Sequence, residues 1–322
     1  MKEFLKNIVI FILTIEAWLV VKKYKPKIIA VTGTVGKTGT KDALYIALAP
    51  FIFVRKSEKS FNSELGVPLT ILGCPNAWDN PFLWVKNFLD GLSLLVNDRP
   101  YPKWLILEIG ADHPGDIKRL MRWVHPEINV ITQFADVPVH VEFFNSPEEV
   151  NAEDALLAMG LPEGGILVLN ADDPKMAYLK EKAKAKVVTY GFNKEADIRG
   201  SHEKVLYEKG VPQGMTCSIT HLGTEMGYVV NGALGKSSLY GVLAGVACAH
   251  ALGFSLEKVV EYLKDYQAPV GRLKIISGIK GTTLLDDSYN SSPVALEIAL
   301  ETLREIKTKG KKIALLGDML EL

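Results

Sequence analysis

The run Ile28-Ile29-Ala30-Val31-Thr32 stops at Gly33-Thr34-Val35-Gly36-Lys37-Thr38. A β-branched apolar strand feeding a glycine-spaced turn and then a helix is suited to holding phosphate. Glycine lets backbone amides turn towards an anion. The following helix points the positive end of its dipole at the same place. Lys37 can reach terminal phosphates, and the Thr38 hydroxyl is placed for a magnesium ion. Gly33, Thr34, Gly36, Lys37 and Thr38 are the expected phosphate-binding set. Only Thr34 and Val35 separate Gly33 from Gly36-Lys37, whereas the common phosphate loop has about four residues there. The strand before the loop and the helix-forming stretch 41–48 favour nucleotide binding over a plain surface turn.

Other polar residues stand where apolar runs end. Glu108 closes Trp104-Leu105-Ile106-Leu107. A carboxylate at a buried strand tip is costly unless paired or metal-bound, and Mg²⁺ takes hard oxygen ligands beside phosphate. A solvated strand end is the alternative reading. Asp112 and Asp116 fit the start of the next helix. His140 lies just past the run 130–132, in a structural or a catalytic role. Asn170-Ala171-Asp172-Asp173-Pro174 follows another apolar run and reads as a turn and helix cap. Asp286-Asp287-Ser288-Tyr289-Asn290 suits ribose, metal or helix capping.

These residues need a scaffold, and the hydrophobic pattern supplies one. Strands are expected at 27–32, 104–109, 130–132, 165–170 and 186–190. Helices are expected between them, at 38–48, 81–96, 114–123, 147–159 and 174–184. Such alternation implies an α/β fold, a parallel sheet with helices on both faces. Ligands of these sheets bind beyond the carboxyl ends of the strands. From 197 to 230 the pattern shortens to antiparallel strands. Helices at 239–252 and 256–265 follow, the second with Ser255 as N-cap. A new unit opens near Gly271, with a strand at 281–285, a helix at 293–307 and a strand at 312–316. A βαβ start without a sheet to complete it cannot bury its own faces, so this last, Rossmann-like unit is expected to be partial.

A chain of 322 residues suits two domains and part of a third. Lys and Arg balance Asp and Glu, so no overall field favours nucleic acid. Cys74, Cys217 and Cys248 are far apart without metal spacing and read as reduced thiols of a cytoplasmic protein. The apolar stretch 8–21 contains Glu16, and its roughly 14 residues fall short of the ~20 that span a bilayer. No small-residue cleavage site follows it, which argues against a signal peptide. Two readings stand: a helix packed on the domain, or one lying on a membrane surface.

Taken together, the motifs resemble the Mur ligases of peptidoglycan synthesis, specifically the branch that adds D-alanyl-D-alanine to a UDP-muramoyl-tripeptide. The matching segments are 32–38, Asn62-Ser63-Glu64-Leu65-Gly66-Val67-Pro68, Glu108-Ile109-Gly110-Ala111-Asp112-His113-Pro114-Gly115 and His140-Val141-Glu142. Leu169-Asn170-Ala171-Asp172-Asp173, Gly271-Arg272-Leu273, Leu285-Asp286-Asp287-Ser288-Tyr289-Asn290 and Leu316-Gly317-Asp318-Met319-Leu320-Glu321-Leu322 follow. The resemblance implies an ATP- and Mg²⁺-dependent amide ligase of cell-wall biogenesis. It would phosphorylate a muropeptide carboxylate, which the amine of D-Ala-D-Ala then attacks. It implies a phosphate-loop central domain at 27–269 after an apolar N-terminal helix at 1–26, and a partial ligase domain at 270–322. It also implies that Lys37 contacts the β- and γ-phosphates and that Thr38, Glu108 and His140 hold magnesium. Asn170, Arg272, Asp287 and Asn290 would surround the nucleotide, with Asp287 on the ribose. A monomer acting on UDP-muramoyl-peptide and D-Ala-D-Ala is expected, without nucleic acid and with peripheral membrane contact through the first helix.

The chain departs from the family at four places. Residues 1–26 stand where the family has a uridine diphosphate-binding domain. Asp154 stands at the family's carbamylated lysine, as a shorter anionic catalytic group or as a plain surface residue. Ser237-Ser238 replaces a His-Asn-type pair near adenine. The chain also ends inside the C-terminal domain. Alternatives are a non-catalytic ATP-binding member of the family, or a ligase of the folylpolyglutamate or cyanophycin type.

Overall fold

A computed structural model describes residues 2–319. Leu320, Glu321 and Leu322, the end of the last motif, lie outside the described residues. The elements run α1 (Lys2–Tyr24), β1 (Lys27–Thr32), α2 (Lys37–Leu48), β2 (Val54–Lys56), α3 (Gly66–Leu72), α4 (Pro81–Val96), β3 (Trp104–Glu108), α5 (Asp116–Leu120), β4 (Ile128–Ile131), α6 (Pro147–Met159), β5 (Ile166–Asn170), α7 (Met176–Lys182) and β6 (Lys186–Gly191). Then come β7 (Ile198–Glu208), β8 (Val211–His221), β9 (Thr224–Asn231), α8 (Lys236–Ala251), α9 (Leu256–Leu263), β10 (Lys274–Ser277), β11 (Thr283–Asp286) and α10 (Pro293–Glu305).

One nine-stranded sheet has the order β2-β3-β1-β4-β5-β6-β7-β8-β9. It is parallel from β2 to β7 and antiparallel through β8 and β9. The α/β expectation is borne out. The central strands read as unbroken Val/Ile/Leu runs because helices cover both faces. One face packs on α2, α8 and α9; the other packs on α1, α3 and α4. Gly241 and Gly245 let α8 approach α2 closely, since a Cβ would stand 3.2 Å from the Gly39 backbone and 3.3 Å from that of Ala43. This contact holds the start of α2, and so the loop before it, against the sheet.

The last unit differs from expectation. Strand β10 pairs antiparallel with β11 in a separate two-stranded sheet. Residues 312–316 form no ladder, and Leu315 is 93 % exposed. The run has the β-branched and aliphatic character of a strand. A strand, however, needs a neighbour to take its backbone hydrogen bonds, and among the described residues none adjoins it.

The N-terminal segment forms a 23-residue helix. Among the described residues no helix is long and apolar enough to cross a membrane. Leu13, Ala17 and Val20 are fully buried, so one side of α1 packs on the domain. Glu16 lies at the seam with α4, where a Cβ on Gly91 would lie 2.2 Å from its Oε2. That oxygen is buried without a hydrogen-bond partner, and burial raises the pKa to about 7. The folded state therefore favours the protonated acid. Its stability falls as pH rises from about 4.5 towards 7 and stays reduced above that. Glu16→Gln should raise the melting temperature at pH 8 by the equivalent of about 1 kcal/mol, after allowance for solvent screening. The difference from the parent should vanish near pH 4.5 in thermal melts.

Candidate active site

The loop 33–36 leaves β1 and enters α2 with two backbone turns that favour glycine. Gly33 has φ 113° and Gly36 φ 88°. A Cβ on Gly33 would lie 2.4 Å from Thr132 Oγ1, so a side chain is excluded as well as strained. Gly36 is the N-cap of α2 and offers no side chain to its first amides, which leaves them for an anion. Thr34 ties the loop to the segment after β4: its amide donates to Gln133 O at 2.7 Å, and its Oγ1 accepts from Ala135 N at 3.1 Å. Lys37 folds back, with Nζ 2.5 Å from Gly33 O.

Glu108 is 1 % exposed, which removes the solvated-end reading. Its Oε1 accepts from Thr38 Oγ1 at 3.0 Å and from Ser60 Oγ at 2.5 Å. Its Oε2 has no hydrogen-bond partner and lies 3.7 Å from Lys41 Nζ. The sequence does not single out Lys41. It is fully buried, bonds Ser57 Oγ and Lys59 O, and its pKa is lowered by burial. The signal was its place one turn beyond Lys37 on the same face of α2.

His140 takes a positive φ of 70°, and its Nε2 lies 3.4 Å from Asp112 Oδ1. Burial raises the Asp112 pKa, and His140 opposes that rise. The sequence suggests Asp112 as a helix-start residue. That task falls to Asp116, whose Oδ2 accepts from the amides of Asp112 and His113. Asp154, on α6, is 5 % exposed, so the plain surface reading does not hold. Burial raises its pKa to about 6; the Lys37 charge and the amides of Gly33 and Ala111 pull the other way. Its Oδ1 has no hydrogen-bond partner.

Lys37, Thr38, Glu108, His140 and Asp154 all line one cavity of about 300 Å³ at the carboxyl end of the sheet. Arg272 and Asn290 line it from the last unit, and Arg272 stacks 4.6 Å over the Tyr289 ring. A second cleft of about 310 Å³ meets the first at Val35 and Gly36. Asn170, Tyr190, Lys236, Ser237 and Tyr240 line it, together with Glu301 of α10. The Asn170 side chain accepts from Asp172 N at 3.0 Å, as the turn reading implied. Ser238 points inward onto Gly235 O instead. Asp287 lines neither cavity; its carboxylate accepts from Leu273 N at 3.1 Å.

The donor set fits a hard cation. Among the described residues no three His, Cys, Asp or Glu side chains form a ready metal cluster. The Glu108 carboxylate, whose Oε1 meets the Thr38 hydroxyl and whose Oε2 lacks a hydrogen-bond partner, still offers oxygen ligands with that hydroxyl, and Mg²⁺ ordinarily completes its octahedron with phosphate oxygens and water.

A parallel sheet whose first strand feeds an anion-ready loop, with a buried carboxylate on the adjacent strand, defines an α/β protein of the phosphate-loop class. The model for the Mur ligase middle domain matches residues 90–249. That for the Mur ligase glutamate ligase domain matches residues 271–322. The chain belongs to the Mur ligase family. Among curated relatives, the UDP-N-acetylmuramoyl-tripeptide–D-alanyl-D-alanine ligase of Bacillus subtilis is 27 % identical over 296 residues, covering 92 % of this chain and 57 % of that protein. The Mycobacterium bovis enzyme of the same name is 30 % identical over 301 residues, covering 92 % and 53 %. This chain thus spans little more than half the length of those relatives. In fold it matches the MurF ligase of Thermotoga maritima, solved in complex with ADP, at TM-score 0.71 and 23 % identity, over 92 % of this chain and 61 % of that one. A folylpolyglutamate synthase of Mycobacterium tuberculosis matches at TM-score 0.62 and 14 % identity, over 91 % and 70 %.

Proposed function

We propose that this chain is the ATP-handling body of an amide-forming ligase that adds D-Ala-D-Ala to UDP-N-acetylmuramoyl-tripeptide. The observation that carries it is the convergence of Lys37, Thr38, Glu108, His140 and Asp154, from four separate segments, on one cavity. The names of the curated relatives support the substrate pair. The triphosphate lies across the loop, with the base in the cleft beside Asn170 and Tyr240. Mg²⁺ at Thr38 and Glu108, with His140 alongside, would neutralise phosphate charge and favour γ-phosphoryl transfer. Lys37 exchanges Gly33 O for phosphate oxygens. The muropeptide carboxylate attacks the γ-phosphorus and ADP leaves. The amine of D-Ala-D-Ala then attacks the acyl carbon, and phosphate leaves. Arg272 and Asn290 bring the last unit onto the same cavity, and Asp287 steadies the turn that carries Arg272.

The division into residues 1–26, 27–269 and 270–322 belongs to this proposal, as do a monomeric state, a cytoplasmic setting and peripheral membrane contact through α1. The three free, buried cysteines suit a reducing compartment. The test is phosphate release from ATP and Mg²⁺. Release that requires both UDP-muramoyl-tripeptide and D-Ala-D-Ala is expected; release indifferent to either would overturn the substrate assignment.

A further inference from the structure

Helix α1 is apolar on two sides. Its inner side already supplies Leu13, Ala17 and Val20 to the core. On the outer side Ile8, Phe11, Ile15 and Trp18 recur at helical spacing and are 36–65 % exposed. Helix α4 repeats the arrangement. Asn87, Gly91 and Leu94 face inward, whereas Phe82, Val85, Leu89, Leu92 and Val96 are 50–84 % exposed. The two helices run side by side and end together, since Lys23 Nζ and Tyr24 OH both bond carbonyls of Leu94 and Asn97. A helix apolar all round is normally covered on every side. Here two adjacent helices each leave an outward apolar face uncovered.

The charges around it say what covers it. Where α1 and α4 end, Lys22, Lys23, Lys25, Lys27, Arg99 and Lys103 are all exposed. Asp98, which pairs with Lys23 at 3.2 Å, is the acidic residue among them. This cluster stands in a chain whose net charge is zero. Lys22 Nζ sits 3.7 Å from the centroid of the Trp18 ring, joining the basic cluster to the apolar face. On the exposed side of α4, Lys86 is neutralised by Asp90 at 2.5 Å. Aliphatic and aromatic side chains bordered by lysine are the chemistry of a helix lying in the plane of an anionic bilayer.

We propose that the outer faces of α1 and α4 form a membrane-docking surface whose partner is an anionic lipid layer. This extends the α1 contact to two helices and to a lipid class, and it stands whether or not the phosphate-loop site ligates. Phe11 belongs both to this face and to the wall of a cavity of about 570 Å³. That cavity shares Asn62, Gly110 and Asp112 with the phosphate-loop cavity. The bilayer would therefore border an approach to the site.

Co-sedimentation of the full chain with phosphatidylglycerol or phosphatidylcholine vesicles tests this. Partitioning onto phosphatidylglycerol should be at least about tenfold stronger and should weaken with salt. Phe82→Asp with Leu89→Asp should lower it at least about tenfold, with the melting temperature unchanged. Lys22→Glu with Lys25→Glu should lower it on phosphatidylglycerol and leave phosphatidylcholine unaffected. Three results would overturn the proposal: no sedimentation with either lipid, equal partitioning that the lysine changes do not move, or a dimer by light scattering that Phe82→Asp with Leu89→Asp separates.

Discussion

Lys37→Ala should cost about 10³-fold in ATP affinity and turnover, the scale of losing one preorganised charge contact with a phosphoryl group. Three carboxylates, Glu108, Asp112 and Asp154, line the cavity with Lys37. The triphosphate brings several more negative charges to the same space. Lys41 does not take over, because its ammonium is fully buried and bonded to Ser57 Oγ and Lys59 O. Folding should lose little, since Lys37 contributes a part-buried bond to Gly33 O and a charge that opposes the burial-raised pKa of Asp154. Calorimetric titration with a nonhydrolysable ATP analogue measures the affinity, and phosphate release measures turnover. An unchanged affinity with an unchanged melting temperature would show that the loop is not the phosphate site.

The loop was legible because its chemistry and its backbone demands coincide. The same Gly33 and Gly36 that mark the motif are the residues with positive φ. Glu108 and Asn170 were legible because a continuous apolar run that ends in a polar side chain marks the carboxyl end of a buried strand. Asp154 was placed by its offset from Ser146-Pro147, and that offset holds because Ser146 caps α6 and fixes its phase. The sequence does not mark Lys41 because lysine in a helix normally points to solvent; Ser57 and Lys59 beyond β2, with Glu108 of β3, hold it inward. Asp112 was hidden by a local alternative, capping, that Asp116 fulfils. The strand expected at 312–316 failed for a related reason. Pattern records what a segment can do, whereas a sheet also requires a neighbour. Asp287 shows the converse, a polar residue after a strand whose partner is the chain's own Leu273 amide.

Asp154 separates folding from function more sharply than any other position in the site. Its carboxyl is buried, and that burial raises the pKa from 3.8 to about 6. The folded apo protein therefore holds the proton more tightly than the unfolded chain. Stability falls as pH rises from about 4 through 6, and the whole penalty is present above that. A shift of this size corresponds to about 3 kcal/mol. Asp154→Asn keeps the shape, can still present an oxygen to the amides of Gly33 and Ala111, and carries no charge. It should stabilise the apo protein by about 2–3 kcal/mol at pH 8, with the gain fading towards pH 4. The same change removes an anion facing Lys37 beside the proposed magnesium position. Magnesium-dependent turnover should then drop about 10²-fold. Gain of stability with loss of activity is the mark of a charge kept for function. Denaturant titration at pH 8 and pH 5, paired with phosphate release across a magnesium series, reads both effects in one variant. Increased stability with turnover intact would make Asp154 a packing residue and leave the cation to Thr38, Glu108 and His140.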